Sequence, residues 1–358
     1  MRQHTGSAAH LTDKANLSHF SLLTSHFVLA GLFLLLACPL SGCRKPADSA
    51  TVVLYTSVDE PFAREVVAEF EKQSGIRVQL VTDTEAGKTT GLVRRIEAEK
   101  NHPRADVFWS SELFNTIRLA RAGLLAEYRP PAEDIPDRYQ DPAGRWTAFG
   151  ARARVLAWNT ANLKREDLPT KWRDLADPKW AGKLAVADPR FGTTTGHFAA
   201  MYALWGEADY VAFLQQLNRA TGGVLMDGNA TCTRKVGAGE LLIGATDTDD
   251  VYARQERREP IDLVYPDMGD GGTLLVPNSV GLVAGAPHAE SARVLLDFLT
   301  SPAAERLLAV SGSRNIPVRE SLRRELKLEM PPETNVPFDK IADALEPAIR
   351  LAAEHLIH

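Results

Sequence analysis

Cysteine and histidine are sparse in this sequence, and they do not occur at the spacings that bind zinc. Three cysteines and nine histidines are found among 358 residues. They form neither an HExxH nor a CxxC pair, which are arrangements that place two zinc ligands side by side. A zinc site built from nitrogen and sulfur ligands is therefore not expected.

Long basic runs and phosphate-binding loops are also missing. The net charge is −5 and no basic stripe or RNA-binding motif occurs, so nucleic acid is not expected as a partner. The stretch EAGKTTG, residues 85–91, lacks the GxxxxGK(S/T) spacing of a P-loop, which argues against nucleotide hydrolysis. The chain does contain 44% hydrophobic and 24% charged residues, a balance typical of a globular protein of about two domains.

The N-terminal apolar run, FVLAGLFLLLAC at residues 27–38, is too short to span a bilayer comfortably. It follows basic residues and suits the core of a signal peptide. The next residues, LSGC at 40–43, resemble the lipobox of bacterial lipoproteins, in which cleavage precedes the cysteine and its thiol is acylated. We therefore predict a lipoprotein signal peptide at residues 1–42, lipidation of Cys43 and a polar tether at 43–50. An ordinary signal peptide is the alternative.

Processing at this site would leave Cys232 alone, because Cys38 would be removed with the signal peptide and Cys43 would carry the lipid. An internal disulfide is then excluded. Acylation gives a stable anchor when more than one chain is attached. We expect a periplasmic or extracytoplasmic protein that is anchored to the membrane through its lipid only.

Strand and helix patterns alternate along the rest of the chain. Residues 51–57 (TVVLYTS) and 105–111 (ADVFWSS) are apolar, β-rich runs, and amphipathic helical patterns follow them. A second alternating series begins after residue 150. This alternation predicts an α/β fold with parallel sheets, in which ligands bind beyond the carboxyl ends of the strands.

The order and spacing of several segments resemble one protein family across nearly all of the mature chain. The most specific are GARARVLAWNT at residues 150–160 and YPDMGDGGTLLVPNSVGLV at residues 265–283. Together with LYTSVDE at residues 54–60, they are similar to the substrate-binding proteins of bacterial ABC importers. More narrowly, the chain resembles the ferric-ion-binding branch of the type II periplasmic binding proteins.

That resemblance implies a two-lobed fold in which each lobe is a mainly parallel sheet flanked by helices, with the ligand cleft between the lobes. Residues 51–150 and 275–318 would form lobe one, and residues 151–274 would form lobe two. Residues 319–358 would supply a C-terminal loop and a helix packed on the body. Hinge closure of two such lobes buries the ligand.

The resemblance also points to metal ligands, although the residue types differ from those of the family. The predicted ligand residues are Asp59, Glu112, Asp249, Asp250 and Tyr252. The family's histidine corresponds to Asp59, and its glutamate falls on Ser111 with Glu112 beside it. Its tyrosine pair corresponds to Asp249 and Asp250. Carboxylate oxygens are hard donors that suit Fe(III), Mn, Mg or Ca, but they do not select iron as phenolates would.

A companion anion is expected at the stretch PRFGTTTGHF, residues 189–198. Glycine and threonine at the start of a helix can present backbone N–H groups and hydroxyls to an anion. The resemblance places the anion on Thr195, Gly196 and His197, with a further contact from Asn229. Capping of the helix by a threonine is the alternative interpretation.

The acids that follow the run LLIGA also have a structural explanation. Asp247 can cap a short helix, with Asp249 and Asp250 in its first turn, where they favour the helix dipole. Capping and ligand contact can coexist. Arg152 and Arg154 are two residues apart in a predicted strand and so share a face. Structural ion pairs are the first interpretation for them, and contact with an anion is the second.

We therefore predict a non-enzymatic, monomeric solute-binding component of an ABC importer. It would capture an iron(III)-type metal ion with a companion anion and deliver it to a permease and its ATPase, without any catalytic cofactor. A small organic ligand, such as an aminophosphonate or a polyamine-like cation, is the alternative. A carboxylate-based hydrolase is a third hypothesis, for which the sequence offers no nucleophile–base pair.

Overall fold

The computed structural model describes residues 50–83 and 89–356. The predicted signal peptide, Cys43 and nearly all of the tether lie outside the described residues, so lipidation stays a prediction. No helix within the described residues is both long enough and apolar enough to cross a membrane.

Strands and helices alternate along the described chain much as the sequence predicts. The strands are β1 (Thr51–Thr56), β2 (Arg77–Thr82), β3 (Val107–Ser110), β4 (Leu125–Ala126), β5 (Thr147–Asn159), β6 (Leu184–Ala185), β7 (Ile243–Asp247), β8 (Ile261–Val264) and β9 (Leu275–Val283). The α-helices are α1 (Glu60–Ser74), α2 (Thr90–Ala98), α3 (Phe114–Arg121), α4 (Gly192–Trp205), α5 (Glu207–Thr221), α6 (Asn229–Gly237), α7 (Thr248–Glu256), α8 (Ala289–Leu299), α9 (Pro302–Val310), α10 (Glu320–Leu326) and α11 (Phe338–His355).

Helix α1 shows how the sequence determines these elements. Its buried residues Ala63, Val66, Val67 and Phe70 recur at helical spacing and face the core. Gly75 ends the helix with φ 70°, a left-handed conformation that glycine adopts without steric cost.

Strand β5 joins two parts of one continuous sheet, whose order is β2-β1-β3-β9-β5-β7-β6. Its first half pairs with β9, and its second half, from Arg154 onward, pairs with β7 and β8. Helices pack on strands of both parts, among them α8 on β9 and α6 on β7. The predicted two-lobed α/β fold is therefore confirmed.

The sheets are mixed rather than mainly parallel, which corrects one detail of the prediction. Among the strands of the described chain, parallel pairing is confined to β1–β2, β1–β3 and β6–β7, whereas β9 and β5 make only antiparallel strand pairs. Crossover helices make neighbouring strands parallel only within each series. Strands β5 and β9 link the two series and run opposite to their neighbours.

The C-terminal helix α11 packs on α3, α4 and α5. The ring of Phe338, its first residue, lies 6.2 Å from that of Phe114 in α3, and the Tyr210 hydroxyl of α5 donates to the Ala348 carbonyl at 3.1 Å. The predicted packing of this helix on the body agrees with these contacts. The division of the chain into two lobes at particular residues stays a prediction.

Candidate functional site

A small acidic cavity lies where the loops after β1, β3 and β7 approach the first residues of α4 and α6. Its volume is about 40 Å³, which holds an ion or a few water molecules. Its walls are formed by Asp59, Ser111, Arg152, Ala187, Asp188, Phe191, Gly192, Thr193, Thr194, Asp227, Gly228, Asn229, Asp247, Asp249 and Asp250. A larger cavity of about 450 Å³ shares Asp59, Asp249 and Asp250 with it.

Three aspartates of the small cavity converge at the end of β7. Asp247 is the last residue of that strand, and Asp249 and Asp250 lie in the first turn of α7. One carboxylate oxygen from each lies within 4.8 Å of the others. Two carboxylates about 4 Å apart repel each other by about 4 kcal/mol at an effective dielectric constant of about 20. A cation placed among them would remove this repulsion.

The Asp247 carboxylate is held by a buried network of hydrogen bonds. Asp247 and Arg154 are paired across β7 and β5, and Arg154 donates to Asp247 Oδ1 at 2.7 Å. The Thr193 hydroxyl donates to Oδ2 at 2.6 Å, and the Asn229 amide donates to it at 3.0 Å. Burial acts to raise the pKa of Asp247, but Arg154 and Arg152 outweigh it, so that the pKa lies below its ordinary value.

The capping role considered for Asp247 is correct in position only. Asp247 occupies the N-cap of α7, yet within the described chain its side chain makes no capping hydrogen bond. Its two oxygens are occupied by the arginine, threonine and asparagine contacts instead. Asp249 and Asp250 do lie in the first turn, where negative charge is favourable to the helix dipole.

Arg152 places a permanent positive charge beside these acids. One of its guanidinium nitrogens lies 3.4 Å from Asp249 Oδ2, and another donates to the Ser111 carbonyl oxygen. Burial acts to lower the pKa of Arg152, but Asp249, Asp247 and two further aspartates raise it above its ordinary value. The predicted ion pairs of Arg152 and Arg154 are thus confirmed. Six aspartates and this one arginine line the cavity, and arginines pair with three of the six, Asp188, Asp247 and Asp249.

Asp59 reaches the same acids from the loop between β1 and α1. It lines both the small and the large cavity. It occupies the N-cap of α1, but in the described chain its side chain makes no capping hydrogen bond to that helix. The structure therefore brings Asp59, Asp249 and Asp250 together, as the sequence predicts.

Glu112 does not line either acidic cavity, which corrects its predicted placement. Its carboxylate is buried and accepts hydrogen bonds from the backbone N–H groups of Phe114 at 2.7 Å and Asn115 at 3.1 Å. These groups open α3 and would otherwise be unpaired. Burial raises the pKa of Glu112 despite these hydrogen bonds. Its neighbour Ser111 lines the small cavity instead.

Tyr252 also lies outside both acidic cavities. The Arg314 guanidinium stacks over its ring, 5.0 Å from the centroid. Its hydroxyl bonds with Tyr265, and burial together with Tyr252 raises the pKa of that tyrosine. Tyr252 is two residues beyond Asp250 on α7, so its side chain projects about 200° away around the helix. This placement corrects its prediction as a ligand of the same site.

Three of the four predicted anion contacts do not line the small cavity. His197 is fully buried beside the edge of Trp172, and its Nδ1 accepts from Arg154 Nε at 3.2 Å. Burial and Arg154 hold the pKa of His197 well below its ordinary value, so it is neutral. Gly196 packs on Phe114, and Thr195 lines a different cavity. Asn229 does line the small cavity.

Four residues that line the small cavity were not predicted from the sequence. Thr193 and Thr194, one and two positions before Thr195, line the small cavity. Asp188 and Asp227 also line it and were not singled out. Each of these acids comes shortly before the first residue of a helix. The same position before a helix indicated Asp59 and Asp247 in the sequence, so it could also have indicated Asp188 and Asp227.

A sequence profile described as "Bacterial extracellular solute-binding protein" matches residues 105–345. The chain therefore belongs to this family of solute-binding proteins. It is 26% identical to "Iron uptake protein A1" of Synechocystis sp., over 93% of this chain and 96% of that protein. It is 28% identical to "Putative 2-aminoethylphosphonate-binding periplasmic protein" of Salmonella typhimurium, over 71% and 73%.

The fold is similar to that of solved periplasmic proteins. The "Ferric binding protein from Campylobacter jejuni" superposes with a TM-score of 0.76 at 20% identity, covering 85% of this chain and 98% of that one. At this identity the likeness establishes the shared fold alone.

Proposed function

We propose that this protein is the extracytoplasmic binding component of a bacterial ABC importer and that its solute is a metal ion of the iron(III) type. Asp59, Asp249 and Asp250 would supply the ligands. The observation that carries the proposal is the convergence of Asp247, Asp249 and Asp250, whose carboxylate oxygens lie within 4.8 Å of one another in a cavity of about 40 Å³ that Asp59 also lines.

The chemistry of the walls favours a hard, highly charged cation. Carboxylate, hydroxyl and amide oxygens dominate the lining, and such donors suit Fe(III), Mn, Mg and Ca. Asp247 is already bound to Arg154. It would therefore contribute negative charge near the ion, while Asp249 and Asp250 contact the ion directly. A trivalent ion would neutralise more of the negative charge than a divalent one.

A companion anion would contact the start of α4 rather than the residues predicted from the sequence. Thr193, Thr194 and Asn229 line the small cavity there, and Arg152 supplies a positive charge in the same lining. The Thr193 hydroxyl and the Asn229 amide already donate to Asp247, so an anion beside them would accept from Arg152 and could complete the coordination of a metal at Asp249. Thr195, Gly196 and His197 have no part in this arrangement.

The names of two similar proteins support the proposal of a metal solute. One relative that aligns over nearly the whole chain is an iron uptake protein, and a solved structure with the same fold is a ferric-binding protein. A permease and an ATPase are the expected partners, because the family supplies solutes to such importers. The lipid anchor at Cys43 stays part of the proposal.

A small organic zwitterion is the second candidate, and the larger cavity favours it. That cavity of about 450 Å³ has Asp249 and Asp250 on its wall together with Arg254 and Arg257. An ammonium group could meet the aspartates while a phosphonate meets the arginines. A relative named as a putative 2-aminoethylphosphonate-binding periplasmic protein aligns over 71% of the chain.

Isothermal titration of the metal-free protein tests the metal proposal. Wild-type protein should bind one Fe(III), supplied as a weak chelate, per chain. Asp249→Asn preserves the shape of the side chain but removes a ligand charge, and should weaken binding by about 10- to 100-fold, since lost charged contacts cost about 1.5–3 kcal/mol each. Asp209→Asn, an exposed acid on α5, is the matched control and should leave the affinity unchanged.

Thermal unfolding in the presence of candidate solutes separates the two candidates, because the tightest binder raises the melting temperature most. Fe(III) should give the largest rise, and Mn, Mg and Ca smaller ones. The metal proposal fails if 2-aminoethylphosphonate stabilises the protein while none of these ions does. Circular dichroism of Asp249→Asn should show native secondary structure, so that lost binding is not mistaken for unfolding.

A further inference from the structure

A third cavity, of about 430 Å³, lies among α2, α3, α11 and the first turn of α4. It shares Phe191 with the small acidic cavity but none of the aspartates. Its walls come from elements that are far apart in the chain and are brought together by the packing of α11 on α3 and α4. The proposed cation site does not use it.

A buried hydroxyl group at its base has no hydrogen-bond partner within the described chain. Thr195 is 5% exposed, and its Oγ1 is one of the few buried side-chain oxygens in the described residues that remain unpaired. Buried polar groups are nearly always paired in folded proteins, by protein atoms, water or a ligand. A polar ligand in this cavity would supply the acceptor that the Thr195 hydroxyl lacks.

Arginines from three different segments surround the same space. Arg94 is on α2, Arg118 is on α3, and Arg190 precedes α4. Arg190 is bound to Asp188, and Arg118 donates to Asn115 Oδ1 at 2.9 Å. Arg94 is exposed and, across residues 50–83 and 89–356, has no carboxylate within ion-pairing distance. Planar guanidinium groups of this kind match the geometry of carboxylates.

The rest of the wall is partly apolar and partly acidic. Val93, Leu345 and Ile349 supply a hydrocarbon surface, and two exposed glutamates, Glu97 and Glu346, lie at the rim. Glu346 lies 3.6 Å from Arg118 and is largely exposed, so the arginine can exchange it for a ligand. An inorganic anion would leave the apolar wall uncovered, whereas an organic acid would cover it with its carbon chain.

We propose that this cavity binds a small organic dicarboxylate. One carboxylate would be held by Arg94 and Arg118, and an oxygen of the other would accept a hydrogen bond from the Thr195 hydroxyl. The carbon chain would rest on Leu345 and Ile349. Because the cavity walls come from both series of strands and helices, the ligand would also fix how these parts of the molecule pack.

Titration of the purified, metal-free protein with succinate tests this site. Arg94→Gln should weaken succinate binding by about tenfold or more, since a charge-assisted hydrogen bond is lost. Thr195→Val has the same shape without the hydroxyl, and should both weaken succinate binding and raise the melting temperature without succinate, because an unpaired buried oxygen is removed. Arg77→Gln makes the same charge change on exposed β2 and should bind succinate as wild type does.

Other outcomes overturn the proposal. Wild-type protein that shows no succinate binding at millimolar concentration has no such site. Succinate binding that survives in both Arg94→Gln and Thr195→Val lies elsewhere. Binding that is lost in Asp249→Asn but kept in Arg94→Gln belongs to the acidic cavity, whereas the proposed site predicts the reverse. The comparison of succinate binding in these two variants does not depend on whether the acidic cavity binds a metal ion.

Discussion

At the scale of single residues, the site depends on a buried arginine that has two different neighbours. Arg154 is fully buried and donates both to the Asp247 carboxylate and to Nδ1 of His197. Breaking a buried ion pair by removing one partner costs about 3–5 kcal/mol, because the other charge is left unpaired. The carboxylate of Asp247 and the neutral imidazole of His197 are therefore linked parts of one network.

His197 should make stability depend on pH near neutrality. Its folded-state pKa lies well below its ordinary value of 6.5, because of burial and Arg154. The unfolded chain takes up a proton near 6.5 that the folded chain does not, so stability falls as pH decreases through that value. One such group lowers the free energy of unfolding by about 1.4 kcal/mol at pH 5.5 relative to pH 7.5. Urea unfolding at both pH values measures this loss.

His197→Gln is the variant that isolates this contribution. Glutamine can still accept from Arg154 but does not titrate, so the variant should lose about 1.4 kcal/mol less than wild type between the two pH values. His102→Gln, an exposed position, should behave as wild type does. Equal pH dependence in His197→Gln and wild type would contradict the buried neutral imidazole.

Residue spacing explains which part of the site could be predicted. An acid that directly follows a strand lies at the edge of the sheet, whatever the orientation of the next helix. The grouping of Asp59, Asp249 and Asp250 could therefore be predicted from the sequence. The direction of a helical side chain changes by about 100° per residue. Thr195 was assigned to the anion through the family resemblance, whereas Thr193 and Thr194, whose side chains point in other directions, line the small cavity.

At the scale of elements, the hydrogen-bond partners that an acid meets, near or far in sequence, decide what it does. Glu112 follows β3, as a ligand would, but its carboxylate turns back onto the N–H groups that open α3. The pairing of Arg154 with Asp247 depends on the register of β5 against β7, 93 residues apart. Strand register between distant segments cannot be obtained from the pattern of either segment alone.

The role of Glu112 at the start of α3 gives a second stability prediction. Glu112→Ala should lower the free energy of unfolding by about 1–2 kcal/mol, since two backbone N–H groups lose their acceptor. Glu112→Gln keeps an acceptor oxygen and should lose less. Urea unfolding measures both. Fe(III) affinity should remain within about twofold of wild type in each variant, and its loss in the glutamine variant would restore Glu112 as a metal ligand.

At the scale of the whole molecule, the long strand β5 explains why one sheet can serve two lobes. Its first half belongs to one series of strands and its second half to the other. The alternating strand and helix patterns predicted the α/β class, because each pattern is local to its segment. The family resemblance implied the two-lobed arrangement. The sequence did not predict the antiparallel direction of the linking strands, which depends on how the two series are joined.

The acidic cavity lies at this junction, with Asp59 and Ser111 on one side and Asp249 on the other. A solute bound there contacts both series of elements at once. In a solute-binding protein, such contact is what couples binding to closure. The claim that a cation occupies this position is therefore central to the proposed function.

Anomalous diffraction at the iron absorption edge, from crystals grown with Fe(III), tests that claim most directly. We predict one strong anomalous peak in the small cavity, within about 2.0–2.6 Å of a carboxylate oxygen of Asp249 or Asp250, the distances at which hard cations bind oxygen ligands. Well-diffracting crystals grown with excess Fe(III) that show no peak among these aspartates would contradict it, as would a peak confined to another part of the molecule.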